Sequence, residues 1–154
     1  MENANFPIRN NQKGFTLAEL MFAAFILIVT FAGLLLSYLR CLELNEMAKN
    51  SSMAVSAVKT RMEQIRNTSF DQLIANYNNV TFTAANLNGI GVSYINSTDP
   101  DLYEVTVTFC WQQKNGKVVG EDQNLNGALN VGEDENANGI LDSPVQAVTY
   151  IYKI

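Results

Sequence analysis

Histidine is absent from this chain of 154 residues, and cysteine occurs only twice. The lack of histidine excludes imidazole metal ligands and acid/base catalysis by histidine. Cys41 and Cys110 show no metal-ligand spacing and cannot form a disulfide framework. A single Cys41–Cys110 bridge stays open if the folded part lies in an oxidising compartment, and the alternative is two buried free thiols.

Basic residues are also scarce, since ten Lys and Arg stand against fifteen Asp and Glu, for a formal charge of −5. The segment 121–142 contains no Lys or Arg but holds six acids: Glu121, Asp122, Glu133, Asp134, Glu135 and Asp142. Phosphate binding needs a basic surface, so no nucleic-acid partner is predicted. The chain also has no nucleophile motif and no phosphate loop, and we therefore predict that it is not an enzyme.

One long apolar run stands out near the N-terminus. Leu20 to Leu39 is a stretch of twenty uncharged residues, which is long enough as a helix to cross a hydrocarbon core of about 30 Å. Arg9 and Lys13 precede it, and basic residues favour the cytoplasmic side of a membrane. The sequence therefore predicts a single span with a cytoplasmic N-terminus and a folded part on the other side.

The residues that lead into this span carry a family resemblance. The order Lys13-Gly14-Phe15-Thr16-Leu17-Ala18-Glu19-Leu20 resembles the cleavage and methylation site of type IV prepilins and of type II secretion pseudopilins. The resemblance implies that a prepilin peptidase cuts after Gly14, so that residues 1–14 are a leader and Phe15 becomes an N-methylated terminus. A glycine suits the cut because a Cβ would obstruct the approach of the protease.

Glu19 is the only formal charge between Phe15 and Leu39. A carboxylate in a membrane helix costs about 2.5 kcal/mol or more and normally marks a function. The resemblance implies that Glu19 pairs, during assembly, with the Phe15 amine of another subunit. The alternative is an acid that reaches the edge of the membrane.

The rest of the chain predicts an α+β fold in which one long helix packs on a small antiparallel sheet. Apolar residues at helical spacing continue through Cys41 to Arg66, so we expect one helix from about Phe15 to Arg66. Strand patterns follow at Ile90–Ile95, Leu102–Trp111, Lys117–Val119 and Val145–Ile154. The predicted organisation is a leader (1–14), a membrane and filament-core half of the helix (15–40), and a globular domain (41–154) with an insertion at 120–143.

That insertion contains two tandem twelve-residue repeats, Gly120–Val131 and Gly132–Ser143. Each repeat has oxygen-bearing side chains at alternating positions around a glycine, which is the pattern of an EF-hand-type loop for Ca²⁺. The predicted ligands of the first loop are Asp122, Asn124, Asn126, the carbonyl of Ala128, Asn130 and Glu133. Those of the second are Asp134, Asn136, Asn138, the carbonyl of Ile140 and Asp142. The closing position of the second loop is Val145, so this loop is weaker, borrows Glu121 or another acid, or serves only as a turn. An acidic loop without metal is the alternative for both repeats.

Together these patterns indicate a structural subunit of a type IV pilus or a pilus-like filament. The stretch Arg61–Asn67 at the end of the helix is similar to minor pilins of the V type. The expected partners are other pilin subunits, the prepilin peptidase and methyltransferase, and the assembly machinery of the bacterial inner membrane. A major pilin, a minor pseudopilin of type II secretion and a membrane-anchored calcium-dependent adhesin remain as alternatives.

Overall fold

The computed structural model describes residues 14–153, and the chain divides into two compact units between Leu42 and Glu43. The predicted leader residues before Gly14, with Arg9 and Lys13, lie outside the described residues. The chain has an α+β fold, in which a long apolar helix precedes a small antiparallel sheet.

The helix α1 spans Leu17–Arg66 without interruption, as the apolar spacing predicts. Its buried positions, Asn50, Ala54, Val58, Met62 and Ile65, recur every three or four residues and therefore lie on one face. The N-terminal part of α1 differs, because no described residue up to Leu42 is buried. The apolar residues of α1 therefore differ between the units. In the second unit they form a buried stripe, and in the first unit they are exposed.

A short connection leads from α1 to the sheet. It contains a 3-10 turn at Phe70–Gln72 and the helix α2 at Leu73–Tyr77. The strands are β1 (Val80–Phe82), β2 (Gly89–Asp99), β3 (Leu102–Gln112), β4 (Val118–Val119) and β5 (Gln146–Tyr152). The strand β1, which has only three residues, was not predicted from the sequence.

All strand pairs are antiparallel, and β3 is the centre of the sheet. One edge of β3 pairs with β2, which in turn pairs with β1. The other edge is shared, because β4 pairs with Trp111–Gln112 and β5 pairs with Leu102–Thr108. The repeats occupy the segment between β4 and β5, so they leave from one end of this edge and return to its middle.

The two faces of β3 are covered by different parts of the chain. Val105, Val107, Phe109 and Trp111 are fully buried in the core that includes Val58, Met62 and Ile65 of α1. Thr106, Thr108 and Cys110 point to the opposite face, as strand alternation requires, and they are buried too. Both faces of β3 are therefore covered.

The repeats provide the cover of this second face. A Cβ on Gly127 would lie 2.4 Å from Thr81 Cγ2, and the repeat backbone therefore rests directly on the sheet. Leu141 is fully buried, and its backbone N–H donates to the hydroxyl of Tyr94 at 3.1 Å. The Ser143 hydroxyl donates to the carbonyl of Phe109 at 2.6 Å. The insertion is therefore an integral layer of the domain.

In the structure both cysteines are free thiols, and the Cys41–Cys110 bridge stays a prediction. Cys41 is exposed on α1, whereas the Cys110 thiol is buried and faces the carbonyl of Asp142 at 3.7 Å. Cys110 points away from the sheet face that packs on the residues of α1 in the second unit, as strand alternation requires. Burial raises the pKa of the Cys110 thiol and keeps it uncharged.

Candidate functional site

The predicted processing site lies just before α1. Gly14 and Phe15 are exposed, and the Phe15 side chain keeps 89% of its accessible surface. A Cβ added to Gly14 would meet nothing within 4 Å. The fold itself therefore places no steric demand for glycine at this position.

Glu19 is bonded within its own chain. Its Oε2 accepts hydrogen bonds of 3.1 Å from the backbone N–H and from the hydroxyl of Thr16, while the Thr16 hydroxyl oxygen accepts from the Glu19 N–H at 3.3 Å. This reciprocal pair is a capping box, in which Thr16 precedes the first residue of α1. The capping box was not predicted, although Thr-x-x-Glu before an apolar run is its sequence signal.

The first part of α1 presents a continuous apolar surface. Large side chains on every side are more than half exposed, among them Phe22, Ile26, Phe31, Leu35 and Leu39. A helix that is apolar all round needs lipid or other helices around it. By length and composition α1 can cross a membrane, and its N-terminal location is also typical of a signal sequence.

The first repeat folds around the carboxylate of Asp122, which is fully buried. Its Oδ2 accepts from the Gly127 N–H at 2.7 Å, and its Oδ1 accepts from the Asn126 N–H at 3.1 Å. Asn124 Oδ1 also accepts from the Asn126 N–H, at 3.0 Å. Gly127 adopts a φ of 73°, a left-handed conformation that glycine allows without strain.

Oxygens of three predicted ligands converge at the far side of this loop. Asn126 Oδ1, the Ala128 carbonyl and Glu133 Oε2 lie 3.4, 2.9 and 3.0 Å from the side-chain nitrogen of Asn130. Asn130 is itself a predicted ligand, and rotation of its amide would present oxygen in place of nitrogen. The structure therefore brings oxygen acceptors from both halves of the first loop together around the side-chain amide of Asn130.

Glu133 closes the first loop. Its Oε1 accepts from the Gln123 N–H at 3.1 Å and its Oε2 accepts from the Asn130 N–H at 2.9 Å. Burial acts to raise the pKa of this carboxyl, but the hydrogen bonds from Asn130, Gln123 and Asn124 outweigh it and hold the pKa below its usual value. The carboxylate is therefore charged at neutral pH, and segment 121–142 contains no basic residue to balance it.

The second repeat has the same backbone as the first. Gly139 donates to Asp134 Oδ2 at 3.0 Å and has a φ of 80°. Leu125 and Ala137, which correspond in the two repeats, are both left-handed, at 54° and 58°. Asp142 Oδ2 accepts from the side-chain amides of Asn136 and Asn138 at 2.5 and 2.7 Å.

Glu121 takes the closing position of the second loop, where the linear pattern has Val145. Its Oε2 accepts from the Asp142 N–H at 2.8 Å and its Oε1 accepts from the Glu135 N–H at 3.1 Å. From the sequence, Glu121 was one of several acids that this loop could borrow. Val145 instead lies in the core.

The fit to a cation differs between the loops. Within residues 14–153, no group of three or more His, Cys, Asp or Glu side chains gathers as a metal centre. The first loop has only two carboxylates and relies on amide and carbonyl oxygens, which hard cations such as Ca²⁺ accept. In the second loop the carboxylates of Asp134, Asp142 and Glu121 form no metal centre. Asp142 accepts from the side-chain amides of Asn136 and Asn138, whereas Asp134 and Glu121 accept from backbone N–H groups.

Comparison with known protein families matches residues 9–35 to the prokaryotic N-terminal methylation motif. The matched range includes Gly14, Phe15 and Glu19. It supports a precursor of the type IV pilin or pseudopilin kind, and it favours a structural subunit over an enzyme. Neither the curated proteins nor the solved structures gave a match.

Proposed function

We propose that this chain is a minor pilin, a structural subunit of a type IV pilus or a pilus-like filament. A peptidase cuts between Gly14 and Phe15, the new N-terminus is methylated, and the first part of α1 moves from the membrane into the core of a filament. The membrane-inserted precursor has its N-terminus in the cytoplasm, and the domain from residue 43 onward lies on the outer side.

The observation that carries this proposal is the methylation motif, which runs into the exposed first part of α1. The motif covers residues 9–35, and the described helix residues as far as Leu42 are all exposed. Lipid would cover this surface in the precursor, and neighbouring subunits would cover it in a filament. The apolar core of a secretory signal peptide has only about 7–15 residues, which is shorter than the apolar run of this chain. A signal peptide would also be removed from the mature protein.

Glu19 has a role in each of these states. In the membrane, the capping box with Thr16 supplies hydrogen bonds to its carboxylate and lowers the cost of burying it. In the filament, its charge pairs with the methylated Phe15 amine of a neighbouring subunit. Low dielectric strengthens this pairing and penalises a shifted register.

The repeats supply a second element of the proposal, which is that Ca²⁺ binds the first loop and stabilises the domain. Three converging oxygens and the buried carboxylates of Asp122 and Glu133 support it. When bound, the ion would balance these charges, with Asp122, Asn126, Ala128 and Glu133 as ligands and Asn124 and Asn130 beside them. Its role is structural, since the repeats cover the second face of the sheet.

The assembly proposal is tested by purifying sheared surface filaments and measuring the amount of this chain relative to the main subunit. A small and reproducible fraction supports a minor pilin, and dominance would instead indicate a major pilin. Absence from filaments, together with retention in the cell envelope and loss of protein secretion on deletion, would favour a pseudopilin.

The calcium proposal is tested by calorimetric titration of the full chain in detergent micelles. We expect Ca²⁺ uptake in the wild type and its loss from the first loop in Asp122→Asn. Mg²⁺ serves as the control ion, because it demands a tighter octahedral geometry than this loop offers. Absence of heat up to millimolar Ca²⁺ would reject the proposal.

A further inference from the structure

A groove runs along one side of α1 in the second unit, between this helix and the residues that end and follow β1. It has a volume of about 360 Å³. Its helix wall extends from Met53 to Gln64, which is about 16 Å at 1.5 Å per residue. Arg61 is the only charged residue among the described residues that line it. The groove therefore carries one positive charge in a chain whose formal charge is −5.

Arg61 has no acceptor for its charge. Its Nε and Nη2 atoms are buried, and within residues 14–153 neither has a hydrogen-bond partner. Glu63, two residues further along α1, pairs with Arg66 instead, at 3.7 Å. Burial lowers the pKa of the Arg61 guanidinium, but arginine stays charged in proteins. A buried charge without a partner is costly, which indicates a partner that the described residues do not supply.

Two aromatic rings hold the guanidinium in place. Its Cζ lies 4.6 Å from the centroid of the Tyr77 ring and 5.3 Å from that of Phe82. The Tyr77 ring is fixed to α1, because its hydroxyl accepts from the Thr68 hydroxyl at 3.2 Å. The Phe82 ring lies against Gly91, where an added Cβ would clash with it. Aromatic faces within about 6 Å attract a guanidinium, so the rings fix the position of the charge.

The two unpartnered atoms define the ligand. Nε and Nη2 lie on one edge of the guanidinium, and this edge can donate two parallel hydrogen bonds to a carboxylate. A phosphate site would use further basic side chains or a cluster of backbone N–H groups. The other side chains that line the groove are instead apolar or carry only hydroxyls and one amide. One carboxylate therefore matches the charge and the lining.

We propose that this groove binds an acidic side chain, Asp or Glu, on an extended segment of the neighbouring filament subunit. The inference rests on the proposed assembly function, because a filament is what brings a second subunit to this surface. An extended chain advances about 3.3 Å per residue, so the groove holds about five residues. Such a segment can place apolar side chains on either side of its acid, against the apolar lining.

The neighbouring subunit has access to this site. Arg61 lines the groove and is half-buried, so part of its side chain is open although Nε and Nη2 are covered. Thr60, Gln64 and Thr83 also line the groove and are exposed. A rotation about the side-chain bonds of Arg61 would turn its covered edge toward the groove. Binding is thus expected to change the environment of the Arg61 Nε–H.

The site is tested with a capped peptide that carries one carboxylate. Acetyl-Ala-Glu-Ala-amide is titrated into the full, isotope-labelled chain in detergent micelles. The NMR signals of the Arg61 Nε–H and of the Thr83 backbone amide are followed. Acetyl-Ala-Gln-Ala-amide is the uncharged control, and inorganic phosphate tests for a free anion. Arg61→Lys keeps the charge but loses the two-bond edge. Arg66→Lys is the matched control, because Arg66 already bonds to Glu63 and Thr149.

We expect the glutamate peptide to shift both signals with a Kd of about 1–10 mM, and the glutamine peptide and phosphate to bind at least about tenfold more weakly. In Arg61→Lys, followed through Thr83, the glutamate peptide should also bind at least about tenfold more weakly. Arg66→Lys should leave its affinity unchanged. The absence of a shift, equal affinity for the two peptides, tighter binding of phosphate or full affinity in Arg61→Lys would overturn the carboxylate site.

Sheared surface filaments test the partner. A photo-reactive benzoylphenylalanine in place of Thr83 should cross-link the chain to a second subunit, at a segment that contains Asp or Glu. Arg61→Lys should reduce this product at least about fivefold. A cross-link only to acid-free segments, an unchanged yield in Arg61→Lys, or no cross-link from a chain that is present in filaments would overturn the partner. Absence of the wild-type chain from filaments would instead overturn the proposed function and with it the filament partner, while the peptide titration still decides whether the carboxylate site exists.

Discussion

The apolar side chains are exposed in the N-terminal part of α1 and buried in the domain that follows it. No described residue up to Leu42 is buried, whereas the central strand β3 is covered on both faces. The first region has to obtain its partners from outside the chain. The second region buries its own sheet, and the repeats cover one face of it. In our proposal the only partner that it binds for stability is an ion. Assembly and stability are therefore expected to respond to different mutations.

The largest effect is expected at Glu19. Glu19→Ala should abolish incorporation into filaments while the precursor still reaches the membrane, because it removes the charge that we propose pairs with the Phe15 amine. Incorporation is measured by immunodetection in sheared filaments against total membrane protein.

Glu19→Gln separates the two roles of this residue. A glutamine preserves the capping box with Thr16 but carries no charge. If pairing with the amine is required, Glu19→Gln should be excluded from filaments as fully as Glu19→Ala. Normal incorporation of the glutamine variant would mean that capping alone explains the residue.

Removal of calcium should lower stability in the domain and leave α1 helical. A ligand present at about 100 times its Kd stabilises the folded state by about 2.7 kcal/mol. Addition of a chelator should therefore lower the melting temperature of the sheet domain, followed by circular dichroism of the full chain in micelles. An unchanged melting temperature at saturating calcium and in chelator would contradict a structural ion.

Gly127→Ala tests whether the first repeat rests on the sheet. The added Cβ would lie 2.4 Å from Thr81 Cγ2 at a φ of 73°, so it meets both a clash and a left-handed backbone. We expect a loss of about 2–4 kcal/mol in unfolding free energy, measured by denaturant titration in calcium.

Gly139→Ala is the matched control for this variant. Gly139 holds the same place in the second repeat with a φ of 80°, but a Cβ there would meet nothing within 4 Å. Its cost should be limited to backbone strain, about 1 kcal/mol. Equal losses in the two variants would show that contact with the sheet contributes little.

The smallest effect is expected at Thr16. Thr16→Val removes the hydroxyl of the capping box at a cost of about 1 kcal/mol, which should speed amide exchange of Glu19 about fivefold. Exchange is measured by NMR on the full chain in micelles. Thr30→Val is a suitable control, because its hydroxyl bonds to helix carbonyls in the middle of the same apolar segment.

Sequence patterns predict the long elements of this fold well. The apolar spacing of α1 and the alternation of β3 are local signals, and the structure confirms both. The short strand β1 was missed because three residues carry too little pattern. The second covered face was missed because Thr106 and Thr108 resemble a solvent-facing row until the repeats are placed on them.

The candidate site residues also differ in whether their sequence signal is local or long-range. Gly14, Phe15 and Glu19 were found because their signal is a contiguous string. The hydrogen bond from Asp142 to Glu121 joins residues that are 21 apart and lie in different repeats. The spacing of the sequence puts Val145 at the closing position and therefore does not identify Glu121. The Thr16–Glu19 cap was within reach, since its two residues are three apart and directly precede the helix.

The most direct test of the central claim is mass spectrometry of the N-terminal peptide of this chain from purified filaments. The account predicts a peptide that begins at Phe15 and carries one methyl group on its amine. A peptide that still contains residues before Phe15, or a chain that is found only in membranes with its precursor N-terminus intact, would contradict it.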